Sequence, residues 1–445
     1  MKTFLSAIQW MAFIIAGSIV APIAIADLFQ LNDLETTGLV QRTMFVLGIS
    51  GLLQALIGHR MPINEGPAGL WWGVFTIYAG LSSTLFSSNI ETLQALEGAM
   101  IISGIVFFLL SLFKLIDKLA KLFTPVVSGI YLLLLVIQLS GSFFKGMVGL
   151  GGGRTEVSLP IAFFSIFLVG ITFYLTRHQI KWVSQYAILI SLAAGWVVFS
   201  FLDLGKAYDG YKGAAIAIPE FFAFGKPLFD SGLIVTSIFI TFLLITNMLA
   251  SIRVTGQVLK DMGSENADFR YRASGFTAGI NQLLGGVFSA IGSVPISGAA
   301  GFIATTGITR IMPFIISSLF IVVASMLPHV MSLFASLPAP VGYSVTFVIF
   351  VNMIGIAFSE FDRENDKKRI RIVIGTSLLA GVGAMFLPGE AFRNVPPVLV
   401  SILNNGLILG TLIAVIVDQY TLIQKRRMDK VKSSWLVKHG VKNDR

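Results

Sequence analysis

Thirteen apolar runs of membrane-crossing length leave this chain few folds to choose from. A helix needs about 20 apolar residues to cross the hydrocarbon core of a bilayer. Runs of that order lie near residues 4–23, 39–58, 67–86, 96–114, 122–140, 158–176, 183–202, 231–252, 273–291, 302–328, 339–358, 370–388 and 396–417. Gly and Pro interrupt several of them. The 302–328 run is long enough to hold a half-helix plus a full span, so the pattern admits 13 or 14 spans. Of the 445 residues, 55% are hydrophobic and 12% charged, against about 25% charged in a soluble domain. So few charges cannot cover a soluble surface of this size. A cytosolic enzyme, a disordered chain and a nucleic-acid module are excluded. Cysteine is absent, and His59, His178, His329 and His439 are scattered without metal-ligand spacing. Disulfides, thiolate metal sites and paired-His sites drop out with them, and no cofactor is expected.

Charge decides between 13 and 14 spans, because cytoplasmic loops carry excess Lys and Arg. His59-Arg60, Lys114/Lys118/Lys121, Arg177-His178 with Lys181, the Lys260–Arg272 loop, Arg310 and the Arg363–Arg371 run fall on one side if an extra span ends before Arg310. The opposite side holds the 24–38 loop, with Asp27, Asp33 and Glu35, and the roughly neutral 203–230 loop. Lys145 and Arg154 are mild exceptions. The count becomes 14, with both termini cytoplasmic and the chain multi-pass in the cell (inner) membrane. From Lys425 to Arg445 the tail holds eight Lys/Arg against two Asp, which suits an anchor beside anionic lipid rather than a nucleic-acid contact. No cleavable signal peptide is evident.

An internal repeat shows at residue level. Pro62-Ile63-Asn64-Glu65-Gly66-Pro67-Ala68-Gly69 and Pro295-Ile296-Ser297-Gly298-Ala299-Ala300-Gly301 both read Pro-Ile-polar-Gly-x-Ala-Gly once one gap is allowed, about half a chain apart. Proline lacks an N–H and clashes with the preceding helical turn, and the residue before it is pushed towards an extended shape. Each stretch is therefore expected to run extended and then start a helix at its small residues. Extended backbone at membrane depth survives only inside protein or lining a cavity, and paired breaks in two halves point to a transporter's site. The first element follows an inside loop and the second follows a span ending outside, so the halves are inverted. Two ordinary proline kinks are the bland alternative.

The residues at this point resemble the nucleobase–ascorbate transporter family, which includes bacterial uracil and xanthine permeases. The resemblance runs over nearly the whole chain. It is carried by Gln9 with Gly17 and Pro22; Gly58-His59-Arg60-Met61-Pro62; Pro125-Val126-Val127-Ser128-Gly129; Pro219-Glu220-Phe221-Phe222 with Gly225, Pro227 and Phe229; Val254-Thr255-Gly256-Gln257-Val258-Leu259-Lys260-Asp261; and, most specifically, Gly292-Ser293-Val294-Pro295 through Gly307-Ile308-Thr309-Arg310. It implies an all-α polytopic membrane protein of 14 transmembrane segments in a 7+7 inverted repeat, with short extended strands in segments 3 and 10. Residues 1–118 (segments 1–4) and 228–328 (8–11) would form a core domain. Residues 119–227 (5–7) and 329–423 (12–14) would form a gate domain that usually mediates a homodimer, and 424–445 a basic cytoplasmic tail. Substrate would sit between the strands, with segment 8 supplying side chains, and cross by alternating access coupled to H+ or, in some members, Na+. The chain departs from the family where its familiar ligands stand. Asn247 replaces the usual acidic residue of segment 8, Ser251 the His or Asp a turn later, and Gly301 the Glu or Gln of segment 10.

Glu65 is the sharpest feature left by those departures. A charge at bilayer depth costs about 2.5–3.5 kcal/mol on insertion scales and normally faces a cavity or a partner. It is a candidate substrate ligand or proton carrier, or else a solvated group at the membrane surface beside Arg60. Asn64 and Ser297 are matched polar positions that bind substrate or satisfy backbone. Gly66, Ala68 and Gly69, with Gly298, Ala299, Ala300 and Gly301, are small enough for a flat ring to approach main-chain N–H and C=O groups, or for helices to pack. Asn247 offers an amide donor and acceptor to a nucleobase edge, or an interhelical bond; Ser251 stands with it. Arg253 pairs with Glu65, binds an anion, or snorkels to the interface. Trp71 and Trp72 stack on a base or pack in the core. Asn281, Gln282, Asn404 and Asn405 read as helix–helix glue, and Asp418 as a solvated helix end. Gly149 and Gly151–Gly153 before Arg154 lack the Gly-Lys-Ser/Thr of a phosphate loop and read as a flexible outer loop. No nucleophile–base pairing exists, so an enzyme is not expected. The chain is expected to import a purine or uracil with H+. A sulfate- or benzoate-type carrier of another planar or anionic solute, and a passive channel, are the alternatives.

Overall fold

In a computed structural model the described residues are 2–438 apart from 117, 119–121, 123, 151–155, 206–209, 265–268, 393 and 394. They are mostly helical. Helices α1 (Lys2–Ser18) and α2 (Val20–Leu28) form one apolar stretch broken at Ile19. Asn32 opens α3 (Asp33–Leu56): its side chain accepts from Glu35 N, and the Glu35 carboxylate accepts from Asn32 N, a reciprocal capping box. Strand β1 (Glu65–Pro67) and α4 (Gly69–Leu85) follow. Ser88 caps α5 (Asn89–Leu112), and Thr124 with Pro125 starts α6 (Pro125–Met147), the residues a helix start calls for. Next come α7 (Leu159–Thr176), the short α8 (Lys181–Gln185), α9 (Ala187–Phe201), α10 (Ser231–Asp261) capped by Asp230, and α11 (Tyr271–Val287). Strand β2 (Ser293–Pro295) leads to α12 (Gly298–Thr306), α13 (Ile311–Ser325), α14 (Pro328–Ala335), α15 (Ala339–Asp362), α16 (Lys367–Met385), α17 (Pro397–Leu403) and α18 (Gly406–Lys438).

Eight of the described helices are long and apolar enough to cross a membrane, or nine if the pair α13 and α14, bent by 90° at Pro328, counts as one span. This is fewer than the 14 expected spans. The other expected spans fall on shorter or interrupted helices such as α4, α9 and α11, and the 302–328 run is divided. There α12 ends at Gly307, in the left-handed region (φ 73°), and α13 starts at Ile311. The glycine run before Arg154 lies largely outside the described residues; Gly149 itself has φ 82°.

Packing falls into two groups. In the first, α5 lies along α10 and α11, and α13 along α1 and α3; in the second, α15 lies along α6 and α7, and α18 along α6 and α16. Glycines set the spacing. A Cβ on Gly104 would stand 2.8 Å from Gly279 O, and one on Gly286 2.7 Å from Glu97 O, so α5 and α11 touch backbone to backbone, as small-residue interfaces allow. Residues 217–228 are fastened to the first group. Gln41 and Gln94 side chains donate to Ala217 O (3.0 Å) and Phe224 O (2.7 Å), Ala223 N donates to Ser289 Oγ (2.8 Å), and the Ser289 hydroxyl donates to the Glu97 carboxylate. In the second group Asp418 is not a solvated helix end. It is fully buried, accepting from Arg369 Nη1 (3.1 Å) and Thr124 Oγ1 (2.9 Å), while Arg369 also pairs with Glu364 at 2.6 Å. A buried charge demands such partners, and the sequence alone did not bring 124, 369 and 418 together.

Candidate functional site

The two interrupted stretches meet. Strands β1 and β2 pair antiparallel, with Glu65 opposite Pro295, Gly66 opposite Val294 and Pro67 opposite Ser293. Two flanking bonds extend the ladder symmetrically: Ala68 N donates to Gly292 O and Ile296 N to Asn64 O, both at 2.9 Å. The pair has its own two-fold axis, which matches Glu65 with Ser293, Gly66 with Val294 and Pro67 with Pro295. This corrects the motif alignment, which placed Pro62 on Pro295. The shared Pro-Ile pairs are not equivalent positions; the equivalent prolines are those that end each strand. The extended part of the second stretch therefore lies at Ser293–Pro295, and Gly298–Gly301 is already helical.

Each strand runs into a helix that starts without a side-chain cap, α4 after Ala68 and α12 after Ser297. The first N–H groups of a helix have no intrahelical partner and carry the positive end of its dipole. Two such ends beside one strand pair can receive the acceptor atoms of a polar, flat molecule.

The predicted site residues divide by accessibility. Ser297, Gly298 and Gly301 are exposed, and Asn247 and Gly69 half-buried; Glu65, Gly66, Ala68, Ser251, Ala299 and Ala300 are buried. Nothing lies within 4 Å of the position a Gly301 Cβ would take, and a Cβ on Gly298 would meet Phe13 at 3.7 Å. Phe13, half-buried and with its ring 4.6 Å from that of Phe302, is an aromatic neighbour of this face that no motif marked. Gly66 is small for another reason: Ile296 fills its space, 2.7 Å from a would-be Cβ. Gly69 faces Leu135 of α6 at 3.4 Å.

The buried residues brace the strands. Ser251 Oγ donates to Pro295 O (2.8 Å), so α10 holds the end of β2 and places Asn247 one turn away on the same helix face. Trp71 Nε1 donates to Gln282 Oε1 (2.7 Å), whose Nε2 donates to Ser293 O (2.6 Å). Trp71 and Gln282 are thus a clamp on β2, whereas Trp72 packs edge-on against Phe143 and Phe350 of α6 and α15. Glu65 is 2% exposed and accepts from Ser293 Oγ at 2.8 Å. It is neither solvated beside Arg60 nor paired with Arg253, which is exposed on α10. Among the described residues no group of His, Cys, Asp and Glu is arranged to hold a metal ion.

Comparison with known proteins gives the family. A family model described as "Permease family" matches residues 1–390. A Bacillus subtilis protein named "Putative purine permease YwdJ" is 48% identical over 98% of this chain and 99% of its own. The xanthine permease of the same organism is 25% identical over 94% and 93%. Among solved structures, the transmembrane domain of a cyanobacterium bicarbonate transporter, BicA, superposes with a TM-score of 0.60 at 18% identity, covering 92% of this chain and 96% of that one; at that identity the likeness is one of fold. The relatives are named permeases and transporters, not enzymes. The chain is a multi-pass membrane protein that belongs to the permease family holding the nucleobase and uric acid permeases.

Proposed function

We propose that the chain imports a nucleobase, a purine in first place and uracil next, by cation symport with alternating access. One observation carries this: the antiparallel pair β1–β2 sets two uncapped helix N-termini beside the open face of α12, where Ser297, Gly298 and Gly301 leave room for a flat ring. A base presents ring nitrogens and carbonyl oxygens in one plane, and main-chain N–H groups with the Asn247 amide can read that edge. The family and the purine-permease relative support the solute class.

In this account the 14 segments form a 7+7 inverted repeat. Segments 1–4 and 8–11 (residues 1–118 and 228–328) move as a core against a gate of segments 5–7 and 12–14 (119–227 and 329–423), which joins two copies into a homodimer. Most of the helix packing supports that division, while α14, which lies along α3, crosses it. Both termini face the cytoplasm. Glu65 carries the coupling cation, H+ in first place and Na+ next. Uptake of a labelled base against a panel of unlabelled purines, pyrimidines, sulfate and benzoate, with and without an imposed pH gradient, tests the account. Competition by purines and stimulation by an inward proton gradient are expected. Competition by sulfate or benzoate alone would transfer the chain to another solute, and uptake untouched by a protonophore would make it a channel.

A further inference from the structure

The Glu65 carboxyl is buried, whereas Ser297, Gly298 and Gly301 at the start of α12 are exposed. Glu65 points away from solvent towards α11. The groups that face it are Ser293 Oγ from β2 and the Asn281 amide from α11, with no charged side chain among them; α1 and α3, which also pack on β1, add none. Ser293 serves one carboxyl oxygen. The other, Oε1, is buried without a hydrogen-bond partner, and so are both Oδ1 and Nδ2 of Asn281, a residue with no exposed surface. An orphaned buried carboxylate oxygen is costly, and an uncompensated buried charge more so. Glu65 and Asn281 are near enough to interact, yet no hydrogen bond of good geometry satisfies Oε1, Oδ1 or Nδ2.

We infer that Glu65 and Asn281 together form the seat of the coupling cation, behind the strand pair and out of reach of the solute. A monovalent cation fits: a proton on Oε1, which lets the carboxyl donate to Asn281 Oδ1, or a sodium ion held between Oε1 and Oδ1, hard oxygen donors for a hard ion. The cation would then act through β1 and β2. Filling the seat neutralises Glu65 and fixes α11 to β1, while Ser293, bonded to the same carboxyl, lies on the strand whose end leads into α12. Coupling is indirect, ion to strand to solute. Asn281 in this scheme touches the ion and never the base.

The inference rests on the assignment of Glu65 to coupling, so the test separates the two. Thermal stability of purified full-length protein would be followed in sodium and in choline salts across pH, for wild type, Glu65→Gln, Asn281→Leu and Asn281→Asp. Uptake of labelled hypoxanthine into proteoliposomes would be driven by a pH gradient in one arm and a sodium gradient in the other, beside hypoxanthine counterflow at equal pH. Wild type should show a cation-dependent stability shift and driven uptake. Both Glu65→Gln and Asn281→Leu should lose these while counterflow persists. The arm that drives wild-type uptake identifies the ion. If Glu65→Gln keeps the full cation dependence, the coupling role of Glu65 itself fails. If Glu65→Gln loses it and Asn281→Leu keeps it, Asn281 is only packing and this inference falls. Should Asn281→Leu not fold, Asn281→Asp decides: a midpoint displaced in pH or sodium concentration supports the seat, and a midpoint identical to wild type overturns it.

Discussion

Helices α2 and α15 touch where the two packing groups meet, at the end assigned to the outside. A Cβ on Gly342 would lie 2.8 Å from Val20 Cγ1 and 3.6 Å from Val20 Cβ. The neighbouring Tyr343 donates its hydroxyl towards Ala24 O at 3.4 Å. Tyr343 also lines a cavity of about 430 Å3, with Asp27, Gln30, Asp33 and Thr36 among others. If the core moves against the gate, this contact must part for solute to enter. Cysteines joined in a disulfide have Cβ atoms about 3.5–4.5 Å apart, and the 3.6 Å separation falls inside that window. The chain has no cysteine of its own, so a Val20→Cys/Gly342→Cys pair would be the only one present. Oxidation is expected to cross-link it and stop uptake, and reductant to restore both. A milder perturbation gives a magnitude. Gly342→Ala places a methyl 2.8 Å from Val20 Cγ1, an overpacking worth about 1–3 kcal/mol. If only the state in which α2 and α15 touch bears that cost, the equilibrium shifts towards the parted state by about 5- to 150-fold. The assay is maleimide labelling of a single cysteine at Asp33, on the cavity wall, which should quicken in the Gly342→Ala background. Full cross-linking with uptake intact would refute the reasoning, because the two helices would then never separate.

Two further outcomes follow from buried or bridged groups. Ser251→Ala removes the bond to Pro295 O between two buried partners, costing about 1–3 kcal/mol. Apparent affinity for solute should fall by up to about 100-fold, with Ser251→Thr close to wild type; an unchanged uptake KM in Ser251→Ala would show that α10 does not hold the strand. Where α18 passes the start of α16, Lys425 donates to Asp366 at 3.0 Å and, as the foremost cause, holds its carboxyl below the usual carboxylate range. A lowered native value contributes stability that is complete above the ordinary carboxylate range and disappears as pH falls through the lowered one. The Tm difference between wild type and Lys425→Met should therefore shrink from pH 7 towards pH 3, and a difference that widens on acidification would exclude this bridge as its source.

The helical membrane fold and the two interrupted stretches that pair were legible because they rest on covalent facts. Long apolar runs must be spans, and Pro62, Pro67 and Pro295 cannot all sit inside regular helices at membrane depth. The register of the strand pair was not legible. Pro62-Ile63 and Pro295-Ile296 look alike in sequence, but the hydrogen-bond ladder is decided by backbone on both sides, and only Pro67 and Pro295 occupy matching places. Side-chain partners across the chain were likewise hidden. Nothing in a linear pattern joins Trp71 to Gln282, Ser289 to Glu97 or Asp418 to Thr124. Phe13 was passed over because an aromatic in an apolar run is normally core; its half-exposure beside Gly298 became visible only once α1 and α12 were placed.

The central claim is that solute sits against the N-terminal end of α12 beside the strand pair. It is tested most directly at Gly301, where a side chain meets open space and the cysteine-free chain makes a single Gly301→Cys unambiguous. The rate of maleimide labelling at Gly301→Cys, with and without saturating hypoxanthine, should fall several-fold when the base is bound and recover on its removal. A rate unaffected by a base that the same variant transports would place the solute elsewhere and contradict the account.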